Sequence, residues 1–360
     1  MLLCDLYQVS AEQLGLIDDA VVVPSGRIDD VERRNFLRLG LGAAASLAVI
    51  DWQRIAAASA DSRYVDSSAV ADLRELTWEF GKRSHSMSPA ALLPTTQDHL
   101  VRVQELARNA PGELRVHLVA VLGETAVVAG RLAYQLDNRG AAEAYYDLAD
   151  RCALEAGEPL VRAQAYVGLS YLSSTVARGG AESDRRALIL LDHARDASAS
   201  GSPVLRAWIL ARRAEELAAR GAAGPAHADM GAARAALEDR QVEHGLLSQW
   251  GQPWLAGYLA NVHLLADEHD AAITVNREAL AQLDEGLVYQ RSALLSDVAR
   301  AQAGQGDVDG ACATLEEALA LARRQGVEVR LQHVRRAREA LPPAADTLAV
   351  RHLDEQLAVA

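Results

Sequence analysis

The chain has 360 residues and a formal net charge of −13, and such an acidic surface disfavours direct binding to the phosphates of nucleic acids. Half of its residues are hydrophobic but only 4% are aromatic, so small and aliphatic side chains must supply most of the apolar content. Because β-sheets are enriched in β-branched and aromatic residues, this composition favours closely packed α-helices.

The first 63 residues contain short helical patterns that are separated by a turn. Ser10 and Gln13 form a capping-box pattern, which predicts the start of a short helix. Residues 1–16 are too few to bury a core of their own, so we interpret them as the remnant of another domain. Residues 17–63 are interpreted as a linker, because a Pro-Ser-Gly turn begins at Pro24 and a hydrophobic helical stretch follows it.

That hydrophobic stretch has two interpretations. Arg33 and Arg34 precede a run rich in glycine and alanine, and residues 58–60 read Ala-Ser-Ala, an order typical of a twin-arginine export signal. The residues before the arginines are acidic, whereas a signal begins with positive charge, and Asp51 interrupts the apolar run. We therefore favour an amphipathic linker helix that packs on the helices after it, and keep export through residues 33–60 as the alternative.

Helical periodicity dominates the remainder of the chain. Two helices are predicted in residues 64–110, with a short break between Pro89 and Pro94 and a helix from Thr96 onward. Residues 111–360 are predicted to form an array of about five to six helix hairpins.

Alanines recur through this array at intervals that suit stacked helix pairs. In the second helix of each predicted hairpin they are 45, 41, 44 and 39 positions apart, at Ala142, Ala187, Ala228, Ala272 and Ala311. A tetratricopeptide repeat (TPR) has about 34 residues, so these units are interpreted as degenerate TPRs with longer helices or loops. One helix pair cannot bury its apolar face alone, and stacked neighbours share a core. The predicted fold is all-α, a TPR-like α-α superhelix.

Three segments carry a resemblance to a known family. They are the opening LYQVSAEQLGL, the stretch RRNFLRLGLGAAASLAV, and the pair LRELTWEF and PAALLPTTQDHLVRVQELA. They are similar to the end of the DNA-binding domain, the linker and the following helices of actinobacterial XRE-type helix-turn-helix transcriptional regulators with C-terminal TPR repeats. The resemblance covers essentially the whole chain. It implies that the TPR region senses a ligand or partner, or dimerises.

The helix-turn-helix of that family is not found in these residues. The resemblance therefore implies that DNA would be contacted only through a missing N-terminal domain, whose recognition helix would precede Met1, or that the chain has lost DNA binding. Our first hypothesis is a cytoplasmic regulatory or interaction protein without a membrane span. Its groove would bind a peptide, a protein or a small ligand, and it could form a homodimer. The second hypothesis is an exported TPR-like scaffold.

The sequence carries no pattern of an enzyme. The motifs GxSxG, HExxH, GxxxxGK[ST] and GxGxxG do not occur, so we predict no catalytic residue and no cofactor. His263 and His269 flank Asp267, and His227 precedes Asp229, which would allow weak metal binding. Scattered histidines are more often structural, so no metal site is predicted.

The predicted binding surface is the groove that the first helix of each hairpin would line. Carrying the repeat from one hairpin to the next places seven side chains near it: Arg131, Tyr134, Trp208, Glu215, Trp254, Asn261 and Arg300. Tryptophan and arginine combine apolar area with directed hydrogen-bond donors, the mixture that is enriched at binding hot spots. The alternative is that Trp208 and Trp254 only fill gaps between helices.

Overall fold

A computed structural model of the chain describes residues 50–60, 64–174, 185–199, 201–238, 245–341 and 347–359. These residues form fifteen α-helices, a 3-10 helix at Gly245–Leu247 and no β-strand, so the predicted all-α class is confirmed. Residues 1–16 and most of the predicted linker, Arg33 and Arg34 included, lie outside the described residues.

The helices are numbered in chain order. They are α1 (Trp52–Ala60), α2 (Ser67–Arg83), α3 (Pro89–Asn109), α4 (Gly112–Gln135), α5 (Arg139–Ala156), α6 (Pro159–Leu172), α7 (Arg186–Ala197), α8 (Pro203–Ala218), α9 (Ala223–Glu238), α10 (Gln252–Leu265), α11 (His269–Gln282), α12 (Val288–Gly304), α13 (Val308–Gln325), α14 (Glu328–Glu339) and α15 (Leu348–Ala358).

Three hairpin turns share the same backbone conformation. Each has a residue of positive φ, which bends the chain sharply after the first helix: Asp137 (φ 56°), Asp267 (φ 60°) and Gly306 (φ 82°). The amide of the next residue donates to a carbonyl five residues before it, over 2.9 Å in all three turns. The second helix of each hairpin begins directly afterwards, at Arg139, His269 and Val308.

The predicted break between Pro89 and Pro94 is wrong. Helix α3 begins at Pro89 and runs through Pro94 without interruption. A proline near the start of a helix forfeits one backbone hydrogen bond, and full burial of Leu92 holds the segment in place. The cost of the missing donor is therefore offset by packing.

The chain divides into two compact units. Of the described residues, unit 1 comprises those up to 134 and 138–168, and unit 2 comprises 135–137 and those from 169 onward. In unit 1, the Tyr146 ring lies against Gly130 and Gly168: a Cβ atom on Gly130 would be 2.7 Å from the ring, and one on Gly168 would be closer. Glycine at both positions is therefore needed for the ring to fit.

Unit 2 is built of stacked helix hairpins. Helix α8 packs on α9, α10 on α11 and α12 on α13. The first helices of successive hairpins also contact one another, α8 with α10, α10 with α12 and α12 with α14. This pattern, in which the first helix of each hairpin meets both its own second helix and the first helix of the next hairpin, is the TPR-like packing that the sequence predicts.

Four of the five repeated alanines are packing residues, as the sequence predicts. Ala142, Ala187, Ala272 and Ala311 are fully buried, whereas Ala228 is exposed. In α9 the buried alanines are Ala226 and Ala233. The interpretation of Ala228 as a packing residue is therefore wrong by two positions.

Helix α4 satisfies the length and composition of a membrane span. Of the described helices it is the one that does so, with a mean hydropathy of 1.5 over its most apolar window. However, 78% of that window is buried inside the protein, which is typical of a core helix.

Candidate binding cluster

Helices α8 and α10 present the same pattern of large side chains. On α8 these are Trp208, Arg212 and Glu215, spaced by four and then three residues, so they share one helix face. On α10 the same spacing gives Trp254, Tyr258 and Asn261, and each residue follows its α8 counterpart by 46 positions. Asn261 and Glu215, which have this separation, are in direct contact.

A buried ion pair forms the centre of the cluster. The side chain of Arg212 is 1% exposed and its Nη2 atom donates to Oε1 of Glu216, which is fully buried, over 2.5 Å. Its Nη1 atom donates to Oε2 of Glu215 over 3.2 Å. Ser174, after the end of α6, donates its hydroxyl to the same Glu216 oxygen. The guanidinium also lies 4.6 Å from the centre of the Tyr171 ring, a cation–π contact.

Three half-buried aromatic side chains adjoin this ion pair. The indole Nε1 of Trp208 donates to the hydroxyl of Tyr258 over 2.9 Å and lies 3.4 Å from that of Tyr171. The two tyrosine hydroxyls are 2.5 Å apart. Burial raises the pKa of both tyrosines, so they are neutral and offer hydroxyl groups. Helices α6, α8 and α10 are thus joined by polar groups.

The Glu215 carboxyl has unusual electrostatics for a side chain that is still 13% exposed. Burial raises its pKa to about 7, although the Arg212 charge and a 2.8 Å hydrogen bond from Asn261 Nδ2 act in the opposite direction. The nearby carboxylate of Asp297 on α12 adds to the increase. Glu215 therefore changes charge near neutral pH, and any added cation beside it would favour its ionised form.

The cluster continues to α12 and α14. Asp297 accepts from Nη1 of Arg300 over 3.3 Å. Burial raises the pKa of Asp297, against the charges of Arg300 and Arg330. The Arg330 guanidinium in turn lies 4.0 Å from the centre of the Tyr289 ring. Alternating charges and aromatic rings therefore follow the first helices of successive hairpins within unit 2.

The structure brings together three of the seven predicted groove residues, Trp208, Glu215 and Asn261. Arg300 forms an ion pair with Asp297, whose carboxylate raises the pKa of Glu215. Trp254 is half-buried in the first turn of α10.

The other two predicted residues, Arg131 and Tyr134, belong to unit 1. Nη1 of Arg131 is 3.2 Å from Nε2 of His85, and Tyr134 is 8% exposed. Tyr134 is therefore a core residue rather than a surface one. Binding by any of the seven residues stays a prediction.

Sequence reasoning missed Arg212, Tyr258 and Tyr171. Two of them could have been found, because Arg212 lies between Trp208 and Glu215 on the same face of α8 and Tyr258 takes the equivalent position on α10. The buried position of Arg212 carries no sequence signal, since an arginine on a helix is usually solvated.

No protein-family model matches the chain, and no curated protein matches its sequence significantly. Among solved structures, it is similar to one described as the crystal structure of APC/C hetero-tetramer Cut9-Hcn1, with 12% sequence identity and a TM-score of 0.38. The match covers 96% of this chain and 68% of that one. The fold described above therefore rests on the chain's own helices and their packing.

Proposed function

We propose that this protein is an interaction scaffold and that the cluster around Arg212 and Glu215 binds a segment of a partner protein. The expected segment carries a lysine or arginine beside an apolar residue. The observation that carries the proposal is a carboxyl, that of Glu215, which reaches solvent beside half-buried aromatic rings and shares the Arg212 cation with a second carboxyl.

The sharing of Arg212 leads to the expected partner. Its guanidinium lies 2.5 Å from the Glu216 carboxylate but 3.2 Å from that of Glu215. Glu216 is fully enclosed, whereas Glu215 reaches solvent and takes part of its stabilisation from Asn261. A basic side chain of a partner would therefore meet Glu215 and compensate its charge.

The rings supply the remaining binding energy. Tryptophan and tyrosine are enriched at interface hot spots because they bury a large apolar area and also donate hydrogen bonds. Trp208, Tyr171 and Tyr258 fix one another through their polar atoms, so little side-chain entropy would be lost on binding.

Selection of random peptides displayed on phage against the full chain, with affinities of synthetic peptides then measured by fluorescence polarisation, tests the proposal. We expect the selected peptides to be enriched in Lys or Arg beside an apolar residue. Trp208→Phe, which removes the indole donor, and Glu215→Gln should each weaken binding by about ten-fold or more.

The matched control is Trp78→Phe in unit 1, which removes an indole hydrogen bond of 2.7 Å to Glu124 and should leave affinity unchanged. Selected peptides without basic residues, or equal affinity for the wild type and Trp208→Phe, would overturn the proposal. Circular dichroism of each variant establishes that the helices remain folded.

We further propose that the scaffold is the sensor part of a cytoplasmic transcriptional regulator. Its support is the resemblance of the opening residues and of the RRNFL segment to the XRE-type regulators with TPR repeats. A mobility-shift assay tests it, using the chain preceded by the residues encoded in frame upstream of Met1. Failure to shift promoter DNA, with or without a selected peptide, would contradict it.

The alternative, an exported scaffold, makes a different prediction. The full chain fused to a reporter that is active only outside the cytoplasm would give a signal, and replacing Arg33 and Arg34 by lysine would abolish it. A reporter that stays silent supports the cytoplasmic proposal.

A further inference from the structure

Two histidines and a glutamate from three consecutive helices meet at one point of unit 2. They are His227 on α9, His263 in the last turn of α10 and Glu268 at the start of α11. One ligand atom from each lies within 4.8 Å of the other two. Nδ1 of His263 is 2.5 Å from Oε2 of Glu268, and Nε2 of His227 is 4.0 Å from Oε1 of the same carboxylate.

The backbone holds this arrangement in place. Asp267 has a positive φ of 60°, and the Glu268 amide donates to the carbonyl of His263 over 2.9 Å. This closure turns the chain back on the end of α10 and sets Glu268 beside the His263 ring. Packing of α9 on α10 supplies the third group, since the rings of His227 and His263 are 5.5 Å apart between their centres.

We propose that His227, His263 and Glu268 bind a first-row divalent cation of the Zn²⁺ type. Two imidazoles and one carboxylate are a common ligand set for this class of metal, and bonds of about 2.0–2.1 Å require ligand atoms about 3.4 Å apart. One ligand atom from each residue already lies within 4.8 Å of the other two, so side-chain rotations would bring the three to that separation. The ion would replace the direct contact between His263 and Glu268.

Solvent access favours an open site. The side chains of His227 and Glu268 are 40% and 47% exposed, so an ion could enter without unfolding the hairpin. A fourth position is left for water or for a donor from another molecule. Hard cations such as Mg²⁺ prefer oxygen ligands and are not expected to bind here.

Another histidine–carboxylate pair of unit 2 provides the control. Nδ1 of His352 lies 2.8 Å from Oε1 of Glu316, and both side chains reach solvent. Among the described residues these two belong to no group of three suitable ligands. Both sites therefore pair an imidazole with a carboxylate. Of the two, the site at His263 and Glu268 has a second imidazole, that of His227, and the site at His352 and Glu316 does not.

Isothermal titration calorimetry of the untagged full chain with ZnCl₂ at pH 7.5 tests the proposal. We expect saturable binding of one equivalent, weakened by at least about 10- to 100-fold in His227→Ala, the loss known even for partners of metal ligands. His352→Ala should bind like the wild type. Titration with Co²⁺ should produce the visible absorption of a tetrahedral site in the wild type but not in His227→Ala.

Two results would overturn the proposal: no saturable Zn²⁺ binding by the wild type, or equal affinity of the wild type and His227→Ala. His227→Ala retains the His263–Glu268 contact, so it separates metal binding from the structural role of that hydrogen bond. Thermal unfolding without metal should be the same for all three proteins, and added Zn²⁺ should raise the Tm of the wild type and His352→Ala only.

Discussion

The side-chain amide of Asn261 on α10 donates a 2.8 Å hydrogen bond to the carboxyl of Glu215 on α8. The contact joins equivalent positions of two successive hairpins, and burial raises the pKa of the Glu215 carboxyl to about 7. The charge state of Glu215 therefore depends on the stacking of neighbouring hairpins, and the pH dependence of the free energy of unfolding measures that charge state.

Glu215→Gln is expected to change how stability depends on pH. The pKa of Glu215 rises from an ordinary 4.5 to about 7 on folding, so the folded chain holds the proton more tightly and stability is lost as pH rises between these values. Glutamine has no proton to lose. Relative to the wild type, the variant should gain about 1–3 kcal/mol in free energy of unfolding between pH 5 and pH 8, measured by urea denaturation.

The control for this prediction is Glu328→Gln, since the Glu328 side chain is 43% exposed and its ion pair with Arg335 is 3.4 Å long. It should change stability by less than about 1 kcal/mol at both pH values. A difference between Glu215→Gln and the wild type that is equal at pH 5 and pH 8 would contradict the burial of Glu215.

Arg212→Met should be strongly destabilising. It leaves the carboxylate of Glu216 buried without its cation, which typically costs about 3–5 kcal/mol. The double variant Arg212→Met with Glu216→Leu removes both charges and should recover most of the loss. Arg338→Met, which breaks an exposed pair with Asp354, should cost less than about 1 kcal/mol in the same denaturation experiment.

Gly168→Ala and Gly231→Ala should have opposite effects. A methyl group at Gly168 would overlap the Tyr146 ring, and overpacking of this kind costs about 1–3 kcal/mol. At Gly231 on α9 an added Cβ meets nothing within 4 Å, so alanine should stabilise the helix by about 0.5–1 kcal/mol. Thermal unfolding that shifts in the same direction for both variants would show that the Tyr146 contact is not tight.

One substitution should stabilise the turn before α11, and another should destabilise the turn before α13. Asp267 and Gly306 occupy the same turn position, with φ of 60° and 82°, and glycine adopts it with less strain than aspartate. Asp267→Gly should therefore raise the free energy of unfolding by about 0.5–1 kcal/mol, and Gly306→Ala should lower it by about 1 kcal/mol or more. Both values follow from urea denaturation, and a loss of stability in Asp267→Gly would refute the strain argument.

Much of the fold could be predicted from the sequence because helix hairpins are encoded locally. The turns before Arg139, His269 and Val308 follow from short polar residues and glycine, whereas Pro94 was misinterpreted because the burial of Leu92 depends on tertiary packing. Ala228 was misplaced because the start of α9 shifts the helix face.

The candidate site was only partly predictable. The repeat places Trp208, Glu215 and Asn261 on equivalent helix faces, and the structure joins them. Burial of Arg212 and the meeting of His227 with His263 depend on how helices cross, which the spacing of residues within one helix does not specify.

The offset of 46 residues between α8 and α10 has a consequence for recognition. The equivalent positions are not identical in chemistry: α8 carries Arg212 and Glu215 where α10 carries Tyr258 and Asn261. A ligand chain lying across both helices would meet charged side chains on α8 and neutral ones on α10. Its amino-to-carboxyl direction would then be fixed, because reversal would move its cation from α8, which carries the Glu215 carboxyl, to α10, which carries no carboxyl at these three positions.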